Sequence, residues 1–294
     1  MIKNNSINRI LKTTILLIAL IIFLKFPSKN KYSLKIKKVM KNNNYHDIFL
    51  LDENDYLSKT TVPINNEETI YLKDELLNIL KCNKENNKIL NGFKCVIPNN
   101  LDIKSKINND SIDIYLSKEF SNYSDSIKEK IIESIVYTLT SINSINNINI
   151  YVDNNLYKEN LNRSYGINKK YDLSSLNDIN NVTIYYINKI NDYEYYIPVT
   201  KYTNSNEDKI KVIIEELSSK SSYESNLMSY LNYETKLINY DLDGDKLDLY
   251  FNEYLFDNSK DKKVLEEVIY SIKYSLQDTI NVSNINIFVN NQEI

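Results

Sequence analysis

The chain has 294 residues, 42% hydrophobic and 26% charged, which gives room for about two domains and excludes wholesale disorder. Net charge is -3 with acidic and basic residues interspersed, so no basic field exists to hold DNA or RNA, and nucleic acid is excluded as a partner. Gly (3), Pro (4) and Trp (0) are scarce beside abundant Asn, Ile and Lys, a codon-bias composition with little functional signal, and two cysteines are too few for a disulfide scaffold or a zinc site.

In chain order, the first feature is "ILKTTILLIALIIFLKF", apolar from Thr13 to Leu24 and extending from Ile10 to Phe26 if its flanking lysines snorkel. No small-x-small cleavage site follows Phe26-Pro27, and no cysteine stands there to accept a lipid. Residues 1–26 are therefore expected to be a cytoplasmic tip and an uncleaved membrane anchor, with the rest of the chain extracytoplasmic. Lysines are more numerous after the span than before it, against the positive-inside rule, but long domains translocate largely regardless of charge. Residues 27–44 read as a linker.

Strands are expected near 47–52, 60–64, 101–107, 111–117 and 147–152, where apolar residues alternate with polar ones. A first helix carries Leu72, Leu76, Leu77 and Leu80 on one face, and a second carries Ile127, Ile131, Ile135, Leu139 and Ile142. Residues 45–160 thus read as a small α+β unit of order β-α-β-β-α-β, with helices on one face of a sheet. Residues 161–180, with Arg163 and Gly166 among scattered Asn and Ser, lack periodicity and read as a connector.

The same phrases then recur. "NDSIDIYLSKEF" is echoed by "DGDKLDLYFNEYLFD", setting Ile112, Ile114 and Leu116 over Leu247, Leu249 and Phe251 at a displacement of 135. "IVYTL" at 135 answers "VIYSI" at 268, "INIYVDNN" at 148 answers "INIFVNNQ" at 285, and "DIFLL" at 47 answers "TIYYI" at 183. "YLKDELLNIL" at 71 answers "DKIKVIIEEL" at 208, where Ser205 and Asp208 resemble a helix cap. Matches in constant order and near-constant displacement indicate that residues 181–294 are a second copy of the unit.

The stretch "CVIPNNLDIKSKINNDSIDIYLSKEF", followed by "IVYTLTSI" and "INIYVDNN", resembles the GerMN domain of GerM-type sporulation and spore germination proteins. Ile97-Pro98, Asp113, Leu116, Ser117, Phe120, Thr138, Leu139 and Asp153 match its pattern; the second copy keeps Asp248 and Phe251, with Asn252-Glu253 in place of the Ser-Lys pair. Lipoprotein members of the family carry a cysteine after the signal segment, which this chain lacks, and Asn stands in turns where the family often has Gly. The resemblance implies tandem units akin to the ring-building motif. It also implies a non-enzymatic, membrane-anchored assembly protein of sporulation and germination, supporting a complex or ring between mother cell and forespore. Its implied partners are further copies of itself or channel proteins of the SpoIIIA and SpoIIQ type. The alternative is a vegetative envelope accessory that binds a sensor kinase or wall polymer.

No residue is assigned a catalytic, metal or cofactor role. Asp241, Asp243 and Asp245 alternate, but an EF-hand register would need Gly and Glu where Lys246 and Asn252 stand, so a hairpin tip is expected. His46 is the only histidine and is expected half-exposed at a strand start. Glu215-Glu216 and Glu266-Glu267 read as solvated helix faces, and the 25 tyrosines as half-buried strand and helix residues rather than a sugar-stacking surface. Cys82 and Cys95 could form a bridge or remain two thiols.

Overall fold

The computed structural model describes residues 45–81, 92–169, 179–190, 193–219, 226–256 and 263–294, and residues Asn43–Ile294 form one compact unit. The expected anchor Ile10–Phe26 and Cys82 lie outside the described residues; among the described residues no helix is long and apolar enough to cross a membrane.

The first half runs β1 (Tyr45–Leu51), β2 (Leu57–Pro63), α1 (Thr69–Leu80), β3 (Ile103–Asn108), β4 (Ser111–Leu116), α2 (Asp125–Leu139), β5 (Asn147–Val152) and β6 (Asn155–Leu161). The second runs β7 (Ile179–Ile190), β8 (Tyr193–Asn204), α3 (Lys209–Ser218), β9 (Leu237–Asp243), β10 (Lys246–Phe251), α4 (Glu266–Ile280), β11 (Asn284–Val289) and β12 (Gln292–Glu293). The repeat is therefore structural. β4 pairs in parallel with β5, Ile112 beside Ile148, and β10 pairs in parallel with β11, Leu247 beside Ile285. The strands read as 111–117 and 246–252 are equivalent.

One expectation fails in an instructive way. The sequence puts each opening hairpin in its own unit's sheet, but the described residues build three four-stranded sheets: β3-β4-β5-β6, β12-β11-β10-β9, and a shared sheet of order β1-β2-β8-β7. β1 buries Ile48, Phe49 and Leu50 in succession, covered on both faces rather than alternating, and neither an alternating nor a continuous apolar run says which strand lies alongside. Each half also closes its own sheet with an unforeseen last strand, β6 or β12.

Each half keeps its own apolar core. In the first, Ile48, Leu50 and Leu57 of the hairpin meet Leu76 and Leu80 of α1, Ile131 and Ile135 of α2, and Ile112, Ile114 and Leu116 of β4. In the second, Val182, Ile184, Ile197 and Val199 meet Ile213 and Leu217 of α3, Ile272 and Leu276 of α4, and Leu247, Leu249 and Phe251 of β10. Local chemistry explains the element ends. Ser124 and Asp208 cap α2 and α3 through their side chains, and α4 ends on Asn281 in the left-handed region. Every non-glycine residue with positive φ among the described residues is Asn or Asp, including the paired turns Asp153-Asn154 and Asn290-Asn291. Asparagine tolerates that backbone region better than other side chains and so fills the turns of a glycine-poor chain.

Candidate functional site: the junction of the repeats and the sheet surfaces

The junction is where the chain places its least expected chemistry. β2 meets β8 through a single registered pair, Lys59 with Tyr196, and the same register two positions on would oppose Leu57 to Pro198, which has no N–H to give. Asn168 fills the gap. Its Nδ2 donates to the carbonyls of Leu57 (2.9 Å) and Pro198 (2.8 Å), while its Oδ1 accepts from the Leu57 N–H (2.9 Å) and from Lys130 Nζ (2.6 Å). The Asn168 N–H donates to Glu133 at 2.9 Å, and its φ of 47° is one that asparagine sustains. One side chain thus replaces a rung of the sheet.

A few residues upstream, Arg163 makes the second tie. Its guanidinium donates twice to Asp278 of α4 at 2.9 Å, and also to Thr140 Oγ1 (3.1 Å) and the Tyr137 carbonyl (3.0 Å). Its planar fork lies over the Phe49 and Tyr137 rings. Burial works to discharge Arg163, but Asp278, with Tyr185 and Tyr137, outweighs it and keeps the guanidinium charged. Tyr185 donates to Asp278, and Tyr137 donates to the Arg163 carbonyl; burial, then the Asp278 charge, pushes both phenols up. Gly166, between the two ties, has φ of 85°, and a Cβ there would meet Thr200 at 3.0 Å. The stretch expected as a connector therefore carries the clasp. The sequence held one signal for it: Arg163 is one of only two arginines in a lysine-rich chain.

A third tie is Asp52, fully buried, which accepts from the N–H groups of Asn54 and Tyr56, from Ser58 Oγ, and across the junction from Asn188 Nδ2 at 3.2 Å. Burial raises its carboxyl, partly offset by Ser58 and Asn188. Burial also raises Glu133 and lowers Lys130. Each of these ionisable groups already has protein partners that hold the two halves together.

The outer edges of the shared sheet are capped by helix hydroxyls. On β1, the Phe49 N–H donates to Thr138 Oγ1 (3.1 Å), while Ser134 and Ser141 donate to the carbonyls of Phe49 (2.7 Å) and Asp47 (3.2 Å). On β7, the N–H groups of Thr183 and Tyr185 donate to Thr279 Oγ1 (2.9 Å) and Ser275 Oγ (2.8 Å) of α4. Lys94 then caps Leu51, and Met228 caps Ile187. An unpaired edge invites another strand, and these caps block the middle of both edges of that sheet.

The remaining motif positions are structural. Leu116, Phe120 and Phe251 are core residues. Pro98 sits where Val96 and Ile97 cap the Leu80 carbonyl at the end of α1, and its own carbonyl accepts from Leu101. Ser117 ties back to Asp102 through N–H and Oγ, and Asn252 does the same to Lys236, so the departure from the family's serine keeps its bonds. Asp113 accepts from Asn149 (2.8 Å) and Asp248 from Asn286 (2.7 Å), each beside a stacked ring pair, Tyr115 on Tyr151 and Tyr250 on Phe288. In each pair one ring face is turned to its partner.

His46 is half-buried in β1, with Nε2 lacking a partner; Glu216 pairs with Lys201; and the Asp241–Asp245 stretch forms the β9–β10 tip. Cys95 is disulfide-bonded. The depression lined by Lys118, Asn122, Asp153, Asn155 and Tyr157 holds about 520 Å³, is open to solvent, and gathers no buried reactive group. Among the described residues no group of His, Cys, Asp and Glu is arranged to hold a metal ion.

Comparison with known proteins follows the same two-fold division. The family Germane, described as sporulation and spore germination, matches residues 47–158 and again 183–294. The spore germination protein GerM of Bacillus subtilis strain 168 is 29% identical over 260 residues, spanning 83% of this chain and 71% of that protein. The solved tandem GerMN domains of the sporulation protein GerM from Bacillus subtilis superpose with a TM-score of 0.74 at 26% identity, covering 84% of this chain and 91% of that one.

Proposed function

We propose, from the premise that this chain belongs to the Germane family of sporulation and spore germination proteins, that it is a non-enzymatic assembly protein of the sporulating cell envelope. In this proposal residues 10–26 anchor it in a membrane and both repeats lie outside the cytoplasm, between mother cell and forespore. The observation that carries it is the matched duplication: the family pattern covers both halves, while Arg163 with Asp278, Asp52 with Asn188, and Glu133 through Asn168 are committed to joining them. Groups so committed serve architecture rather than turnover.

The junction also constrains how copies could assemble. β2 and β8 are equivalent strands, so the contact between repeats is a pseudo-two-fold, self-complementary one, and such contacts close rather than propagate. Any ring or complex must therefore use surfaces other than the shared sheet. Deletion of the gene in its native host should leave vegetative growth intact and impair forespore development or germination. A deletion strain that sporulates and germinates normally but grows with a wall defect would overturn the proposal in favour of an envelope accessory.

A further inference from the structure

With the middle of the shared sheet's edges capped, the two outer sheets offer edges of their own, and these differ. The β5–β6 ladder is broken by two register shifts, Asn160 in β6 has positive φ, and β12 is two residues long, so neither β6 nor β12 offers a regular template. β3 and β9 do. Both are terminal in their sheets, and each pairs on its inner side in continuous register, interrupted only at the Leu237 end of β9.

These two strands are equivalents in the repeat, yet they carry opposite charge. β3 is "IKSKIN", with Lys104 and Lys106 both exposed; β9 is "LINYDLD", with Asp241 and Asp243 both exposed. None of the ion pairs among the described residues uses any of the four. In each strand the two charges are two residues apart and so stand on one sheet face. β9 also exposes apolar surface on an unpaired edge, Ile238 at 69% and Leu242 at 51%.

We infer that the occupant of these edges is a second copy of this chain, with β3 of one molecule adding to β9 of the next. Pairing sets Lys104 and Lys106 against Asp241 and Asp243, covers Leu242, and makes one continuous sheet across two molecules. Joining β3 to β3 or β9 to β9 would set like charges face to face, which is destabilising across a strand pair. The charges therefore select a head-to-tail contact, which uses different surfaces on each molecule and can propagate where the internal junction cannot. This inference rests on the assembly proposal and names its surface. A weak edge contact suffices when copies are confined to a plane, because confinement raises their effective concentration.

The test uses the full chain in excess detergent micelles, with copies labelled at the amino terminus by an energy-transfer donor or acceptor. Transfer should rise with protein concentration and weaken in high salt. The variant K104E/K106E alone, and D241K/D243K alone, should each move the midpoint at least tenfold higher, and an equimolar mixture of the two should return it to the parent value. That recovery would also show that both variants fold. Absence of transfer in the parent, indifference to the substitutions, or failure of the mixture to recover overturns the edge pairing. If both variants nevertheless complement a sporulation-defective deletion strain fully, the edge pairing falls while the sporulation role stands.

Discussion

The two repeats share a plan, but their second helices live in different surroundings. α2 is buried continuously from Ile131 to Leu139, whereas α4 buries only Val268, Ser271, Ile272, Ser275 and Leu276 and leaves Tyr270 exposed. The segment carrying Arg163 and Asn168 accounts for part of the difference, since it bonds Tyr137, Thr140, Lys130 and Glu133 of the α2 region and meets α4 at Asp278. The hydroxyl sets differ too. The edge caps Thr138 and Ser275 align the two helices at a displacement of 137, one turn away from the 133 that sets "IVYTL" over "VIYSI"; in that register Ser134 donates to the Phe49 carbonyl, but its counterpart Ser271 has a buried Oγ without a partner. The two repeats share the apolar faces and the edge caps, while the polar clasp lies in the segment that follows the first repeat.

The most severe way to probe that comparison is a charge in each core. Leu116→Asp and Phe251→Asp each bury an unpaired carboxylate and should cost about 3–5 kcal/mol or more. Because the two cores are separate clusters, hydrogen exchange should accelerate most in the half that carries the substitution. Equal acceleration in both halves would show that the shared sheet welds them into one cooperative unit.

Next come the ties themselves. Asn168→Ala strands the Leu57 N–H and the carbonyls of Leu57 and Pro198, at about 1–3 kcal/mol for each group left unsatisfied. Arg163→Ala abandons Asp278 in a largely buried site and should cost about 3–5 kcal/mol. Denaturant titration of both variants should show lower midpoints, and a midpoint equal to the parent's in either would remove that residue from the clasp.

The edge caps offer a finer contrast. Thr138→Val and Ser275→Ala each leave a strand N–H without its acceptor and should each cost about 1–3 kcal/mol. Similar losses would confirm that the two caps are equivalent. A loss confined to Thr138→Val would mean that the second repeat has relaxed there.

The smallest expected effect is on pH dependence. Asp52 has a carboxyl raised by burial, so the folded state takes up its proton before the unfolded state does. Its contribution to stability is then present at low pH and is lost as pH rises from the ordinary carboxylate range of about 4 through the raised value. Asp52→Asn should flatten that part of the stability curve. An unchanged slope would assign it to Glu133, whose carboxyl burial raises in the same direction.

The sequence by itself determined the repeat, the apolar stripes of the helices, the alternation of β3 and β10 and the β9–β10 tip, because each follows from spacing along a few consecutive residues; the cap read from Ser205 with Asp208 proves to be Asp208 alone at the N-cap, and β1 and β7 are buried on both faces. Ile127, read as core, is exposed, and Ile142, read as helical, is buried beyond the end of α2. Only the tertiary structure decided that β2 pairs with β8, that Thr138 and Ser275 cap strand edges, and that Asn168 stands in for a rung beside Pro198. A period of two states which face of a strand is apolar and leaves its neighbour open. A polar side chain takes its meaning from whichever backbone group, a hundred residues away, is left without a partner.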